Sequence, residues 1–281
     1  MDITIITAFY DIGRSKWTHF SRNVDYYINS FKNYIKQNYK MIVFIDDCYY
    51  EILKNFLRQS HYQGQHIQLI PINKEWLHTH LFSWQQYDKV NHIMTQETYK
   101  NLCKTRMEHG HPENIYPEYN IINHSKIDFI YHVIDKQIVS KDDFLIWSDF
   151  GYHYSILQGD EEKYPKSVLD IHKFNVNKLN FCLCSSPIND DFDPIFTLVN
   201  ARTTFTGSLF GGPQNFLMEL YHLYHNCLNE LYDTYGISDD DQHIYLRCFQ
   251  KKPELFYLYI FNGYLWPEAL TYFQRNNDYT D

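Results

Sequence analysis

Ile3-Thr4-Ile5-Ile6-Thr7-Ala8 opens the chain as a β-branched apolar run, and Phe9-Tyr10-Asp11-Ile12-Gly13-Arg14 ends it in a polar turn. Such a run bounded by turn residues reads as a buried strand. Between Arg22 and Gln37 the apolar positions Val24, Tyr27, Ile28, Phe31, Tyr34 and Ile35 recur at helical spacing, which predicts an amphipathic helix. Met41-Ile42-Val43-Phe44-Ile45 is the next buried strand and stops at Asp46-Asp47; a helix over 49–58 and a strand over 66–71 follow. This strand and helix alternation predicts an α/β fold built on a Rossmann-like, mostly parallel sheet flanked by helices.

Further along, residues 75–118 are rich in Trp, His and Tyr and end in the Pro-containing stretch 111–117, which reads as a partly helical insertion or lid. A helix over 119–136 leads into a buried strand, Phe144-Leu145-Ile146-Trp147, ending at Ser148-Asp149-Phe150-Gly151. After a looser region over 151–178, strands are expected over 180–185 and 203–212, the second ending in Gly211-Gly212. Pro213 and Gly236 bracket a long helix, and another follows Asp239-Asp240-Asp241-Gln242. No repeat or linker interrupts the 281 residues. They read as one domain, with a nucleotide-binding half over 1–150 and a donor-sugar and acceptor half over 151–281.

Composition excludes several classes of function. Acids exceed bases by 34 to 25 without a Lys/Arg block, which argues against nucleic acid as a partner. No apolar stretch approaches the roughly 20 residues that span a bilayer. The start of the chain lacks a basic leader, so a soluble cytoplasmic protein is expected. None of the six cysteines forms a C-x-x-C pair, and the His78/His80 and His109/His111 pairs lack zinc-site partners. Neither G-x-G-x-x-G after the first strand nor G-x-x-x-x-G-K-[ST] occurs, so NAD enzymes and P-loop NTPases drop out. The sequon at Asn123 falls in a predicted helix and is treated as chance.

In an open parallel sheet, ligands bind beyond the carboxyl ends of the strands. Four strand ends therefore become candidates: 7–14, Asp46-Asp47, 149–151 and 207–212. Asp149 fits two readings, a ligand for a divalent cation against a diphosphate or a turn-forming aspartate before glycine. Asp46 and Asp47 fit either a ribose contact or a helix cap. Asp239 to Gln242 fits a capping box.

Lys126-Ile127-Asp128-Phe129-Ile130, followed by 144–151, resembles the GT-A fold glycosyltransferases, in which a lysine-bearing helix precedes an aspartate-ended strand. There the aspartates form a D-x-D motif that binds Mn²⁺ and a nucleotide sugar; here Gly151 holds the second position. With that departure, the opening ITIITAFYDIGR, the central WSDFGY and the late GG…DDQ pattern are similar to the HtrL/YibB-type proteins, a group expected to be glycosyltransferases. The resemblance covers most of residues 1–250.

It implies a donor site at Thr7, Ala8, Phe9, Tyr10, Arg14, Lys126, Asp149, Gly211, Gly212 and Gln242. Thr7 to Tyr10 would border the base, Arg14 the phosphates, Lys126 phosphate or ribose, and the glycine pair the sugar, with the helix after Pro213 facing the anion. Asp149 would be the metal ligand for Mn²⁺ or Mg²⁺. Asp241, with Asp240 second, would be catalytic, acting on the acceptor hydroxyl or the donor sugar. The implied function is transfer of a sugar from a nucleotide-diphosphate donor, UDP-type favoured, to a hydroxyl of a glycan or other acceptor. The Trp, Tyr and His of residues 75–118 would suit sugar faces. The alternatives are a sugar nucleotidyltransferase, a non-catalytic nucleotide- or sugar-binding protein of the same fold, and a histidine-rich zinc hydrolase.

Overall fold

The computed structural model describes residues 1–35, 37, 39–59, 66–152, 168–185, 193–200, 204–261 and 269–275. Its frame is a seven-stranded sheet in the order β3-β2-β1-β4-β6-β5-β7. The first half builds one edge: β1 (Ile3–Phe9), helix α1 (Val24–Tyr34), β2 (Lys40–Asp46), α2 (Asp47–Gln59) and β3 (Ile67–Ile72). β1 pairs in parallel with β2 and with β4 (Phe144–Ser148), and β2 with β3. These are the alternating elements that the apolar periodicity predicted. Parallel neighbours of this kind need crossover connections, which the helices between them supply.

Residues 74–108 form five short helices, α3 (Lys74–His80), α4 (Phe82–Gln85), α5 (Tyr87–Thr95), α6 (Glu97–Leu102) and α7 (Lys104–Glu108). They do not stand apart as a lid. Leu77, Leu81, Trp84, Val90, Ile93, Tyr99 and Cys103 are buried in the same cluster as Phe44, Phe129 and Trp147 of the central layer. The aromatic content of this stretch serves the core, where each fully buried ring or branched side chain contributes about 1.5–3 kcal/mol.

Helix α8 (Pro117–Asp135) then runs across the sheet, and buried residues lie along nearly its whole length. β5 (Leu179–Leu183), α9 (Pro194–Asn200), β6 (Phe205–Pro213), α10 (Gln214–Glu230), α11 (Asp241–Lys251), β7 (Phe256–Ile260) and α12 (Ala269–Tyr272) complete the described chain. The helix expected up to Gly236 is α10 extended by a wider turn over Leu231–Tyr235; Gly236 stops it with φ 62°, a left-handed conformation that glycine adopts without penalty. Three elements have no counterpart in the sequence reading: α9, α12, and β7, which pairs in parallel with β5. No helix among the described residues is long and apolar enough to cross a membrane.

β6 is the exception to the parallel order, running antiparallel to both β4 and β5. Its direction reverses the expected place of the glycine pair. Gly211 lies opposite Ile146 and Gly212 opposite Leu145, so both sit inside the ladder toward the start of β4. Gly207 and Ser208, early in β6, reach the end of β4 where Asp149 follows. Gly211 is required by contact instead: a Cβ there would meet the Leu145 carbonyl and lie 2.9 Å from Ile146 Cα. Both are backbone atoms that cannot turn aside. Gly211→Ala is therefore expected to cost about 1–3 kcal/mol, read as a lower urea midpoint. An unchanged midpoint would show that β4 and β6 separate more easily than this register allows.

Candidate active site

Helix α8 carries an unusual load of buried polar side chains, and each is answered by a neighbour. Asn120 donates to the Glu113 carbonyl at 2.8 Å and to Ser238 Oγ at 3.0 Å. His124 Nδ1 lies 2.6 Å from the Tyr224 hydroxyl. Burial is the main cause that holds this imidazole down to about 3, so it is neutral at physiological pH. Asp128 accepts from the Ser83 amide at 2.8 Å and pairs with His225 Nε2 at 2.7 Å. These bonds fix the helix in rotation and so fix where Lys126 points.

Lys126 Nζ lies 2.9 Å from Asp241 Oδ2 and 3.3 Å from Asp149 Oδ1, and donates to the Gly207 carbonyl at 3.0 Å. The lysine and Asp241 side chains are only 7% and 3% exposed, whereas Asp149 is 38% exposed. Burial works against the ammonium charge, but Asp149 and Asp241 outweigh it, and the lysine stays charged well above its usual range. For Asp241 burial wins over the lysine and raises the carboxyl. Gly207 makes the arrangement possible, since a Cβ there would occupy the space of the Asp241 carboxylate.

Above this group, at the exit ends of β1 and β4, opens a cavity of about 430 Å³. That falls within the usual size of small-molecule sites. Ala8, Phe9, Tyr10, Arg14, Lys126 and Asp149 all line it. Arg14 is held in an aromatic frame, donating to the Tyr27 hydroxyl at 2.7 Å and the Phe20 carbonyl at 3.1 Å, with its guanidinium over Trp17 and Tyr119 at 5.2 and 5.6 Å. Phe9 stacks on Phe150 at 5.1 Å, and Phe150 on Phe31 at 4.2 Å. Arg22, absent from the sequence reading, is a further cation on the wall, set over Tyr26 at 5.1 Å. Nothing in the local pattern near Ser21-Arg22 marks it; only the fold brings it there.

The other expected residues lie elsewhere. Thr7 is fully buried within β1, facing the opposite way from Ala8 by strand alternation. Gly211 and Gly212 are inside the sheet, for the reason given above. Asp240, Asp241 and Gln242 do not line the cavity, and Asp241 stands behind Lys126. No residue of 75–118 faces the cavity, and Trp84 instead packs edge-on against Tyr10 at 5.5 Å. Asp46 serves as a structural tie, accepting from the Asp11 amide at 3.2 Å and the Cys48 amide at 3.1 Å. Asp47 begins α2, so helix capping describes this pair.

The cap of α11 is Asp240, which accepts from the Gln242 amide at 3.1 Å, and not Asp239 as the spacing suggested. Asp239 instead bonds His243 Nδ1, one turn on. Burial opposes charge on that imidazole, but Asp239 outweighs burial and raises it to about 9. Burial and the Asp239 charge push the half-buried Asp240 up to about 8. Tyr119, on the cavity wall, is raised by burial and then by the charge of Asp240.

The residues do not suit a divalent ion at Asp149. Its Oδ1 already accepts from Trp147 Nε1 at 2.8 Å and faces the Lys126 ammonium, which would repel a dication. The second motif position is filled differently: a Cβ on Gly151 would lie 3.3 Å from the Tyr27 ring that Arg14 bonds. Among the described residues, the groups close enough to share an ion are Asp46-Asp47-Cys48 and Asp239-Asp240-His243, and Asp149 belongs to neither. Asp46 and Asp240 already accept from backbone amides, Asp47 from the Asn73 side chain, and Asp239 from the Asp240 amide and His243.

An α/β domain built on a mostly parallel seven-stranded sheet, with a cationic and aromatic cavity at the exit of its parallel strands, is the class that fold and site define. Within it, the chain belongs to the family described as "Bacterial protein of unknown function (HtrL_YibB)", whose model matches residues 1–274. It is 25% identical over 286 residues to Protein HtrL of Escherichia coli (strain K12), covering 97% of this chain and 93% of that protein. Among solved structures, it is similar to mouse xyloside xylosyltransferase 1 in its apo form, with a TM-score of 0.44, 11% identity, and coverage of 92% of this chain and 85% of that one. It is also similar to 4-diphosphocytidyl-2C-methyl-D-erythritol synthase of Anaerococcus prevotii DSM 20548, with a TM-score of 0.33, 10% identity, and coverage of 93% and 89%.

The Asp239–His243 pair gives a pH signature of stability. An imidazole raised from 6.5 to about 9 by folding adds stability that is fully present below pH 6.5 and is lost as pH rises through 9. The Asp240 carboxyl, raised from 3.8 to about 8, acts in the same direction, because its unfolded form ionises first and stability falls as pH rises between those values. Tm is expected to drop by on the order of 5 °C between pH 6.5 and 9. His243→Gln should flatten that slope, and an equal slope in wild type and variant would remove His243 as its source.

Proposed function

We propose that the chain is a glycosyltransferase that moves a sugar from a nucleoside-diphosphate donor to a hydroxyl of a glycan or other acceptor. The observation that carries this reading is one cavity in which Arg14, Arg22 and Lys126 meet the Phe9, Tyr27 and Tyr119 rings at the exit of β1 and β4. Guanidinium groups suit phosphates through paired donors, and aromatic faces suit a base or a sugar. The family resemblance favours a UDP-type donor. Asp149, open to the same cavity, is placed to accept hydroxyl hydrogen bonds from ribose or sugar.

In the transfer, the acceptor oxygen bonds to the anomeric carbon, and the bond to the diphosphate breaks with its electron pair going to the departing oxygen. We assign the acceptor proton to Asp240, which is outside the cavity lining but close enough for its charge to act on Tyr119 of the cavity wall; its carboxyl, raised to about 8, suits a proton acceptor near neutral pH. Asp241, sealed behind Lys126, is a positioning residue in this reading. The cysteines are free thiols, which suits action in a reducing compartment such as the cytoplasm.

Thermal shift and donor hydrolysis with UDP-, GDP- and dTDP-sugars test the reading. One donor is expected to stabilise the chain and be consumed, and Asp149→Ala to lose both effects. Binding without turnover toward any acceptor would favour a non-catalytic binding protein, and release of pyrophosphate from a nucleoside triphosphate a nucleotidyltransferase.

Asp240→Asn keeps a capping side chain on α11 while removing the base. Its kcat is expected to fall at least about 100-fold with donor affinity unchanged, and the rise in rate with pH through about 8 to vanish. A variant that keeps its kcat would take the proton away from Asp240.

A further inference from the structure

Lys126 stands where a bound cation would be needed, and it is built in. It reaches into the cavity floor from α8 and is held by the Gly207 carbonyl and two carboxylates. Of these acceptors only Asp149 lines the cavity, and its contact, at 3.3 Å, is the longest. An anionic ligand entering from the cavity therefore meets the ammonium on the Asp149 side. The buried Asp241, at 2.9 Å, keeps it in place.

The surroundings were shaped the same way. Position 151 carries no carboxylate and is covered by the Tyr27 ring, and that ring's hydroxyl receives a hydrogen bond from Arg14 at 2.7 Å. Lys126 thus stands beside the first acid position, and Arg14 holds the ring that covers the second. A phosphate entering here finds fixed N–H donors, and their charge-assisted bonds need no ion between protein and ligand.

We infer that Lys126 and Arg14 supply the positive charge for the donor's diphosphate, and that the chain binds nucleoside diphosphates without a divalent cation. This rests on the donor reading proposed above and deepens it. In the transfer, the negative charge gained by the departing diphosphate is met by an ammonium and a guanidinium already in position. Preorganised charge of this kind requires no reorganisation as the bond breaks.

Calorimetric titration of UDP, GDP and dTDP into the full chain, in EDTA and in excess Mn²⁺, tests the inference. The Kd of the preferred diphosphate is expected to differ by less than about threefold between the two conditions. Lys126→Gln alone strands a buried carboxylate and endangers folding. The double variant Lys126→Gln, Asp241→Asn removes that charge, and its fold is checked by its urea transition. It should bind the diphosphate at least about tenfold more weakly, with no recovery on adding Mn²⁺. Arg14→Gln should weaken binding in the same metal-independent way. Binding that appears only with Mn²⁺, or a double variant that binds like wild type, would overturn the inference while leaving the donor reading intact. Absence of diphosphate binding in both conditions would overturn the donor reading and this inference together. Metal-free binding with no sugar transfer would sustain this inference and defeat the transfer step alone.

Discussion

The ammonium of Lys126, buried against Asp241 and reaching Asp149, is the constraint on which the site depends. Buried ion pairs are weak evidence for stability, because desolvation offsets most of their attraction. They are strong evidence of arrangement, since a charge so placed tolerates no other geometry. Helix α8 provides the lysine, the first strand after it provides Asp149, the early part of β6 provides a carbonyl, and the start of α11 provides Asp241. Four segments far apart in the chain are tied at one nitrogen.

The sheet explains why they meet. Parallel β1 and β4 carry their exit loops to one edge, where Arg14 and Asp149 emerge. β6 arrives there in the opposite sense, so its first residues, not its last, join the group. The reversal also directs α10, which follows β6, to start at the far edge. The positive charge at the cavity therefore comes from side chains and not from the N-terminus of that helix.

Much of this was legible in the sequence. The apolar runs of β1, β2 and β4, and the strand-ending Asp149, follow from local pattern alone, because burial on both faces leaves continuous β-branched and aromatic stretches. The family resemblance, and not local pattern, singled out Lys126, which the fold sets on the cavity wall. What failed depends on tertiary facts that no window of residues contains. The glycine pair was misplaced because the direction of a strand is set by what pairs with it, and Thr7 because alternation assigns a face only once the register is known. Residues 75–118 looked like a ligand-facing lid because aromatic composition does not tell a core from a sugar site. Arg22 was invisible because, Tyr26 and Tyr27 apart, the wall it shares is assembled from distant segments such as 119–126 and 147–152.

Gly207 has a consequence for how such a chain can change over generations. Any side chain at this position would displace the carboxylate of Asp241, and that carboxylate is the buried partner of Lys126. Positions 126, 207 and 241 are thus bound in mutual epistasis: a replacement at one is tolerated only in a background where another has already yielded. Lineages that keep the lysine should keep the missing Cβ, and lineages that lose it are released to drift at all three positions together.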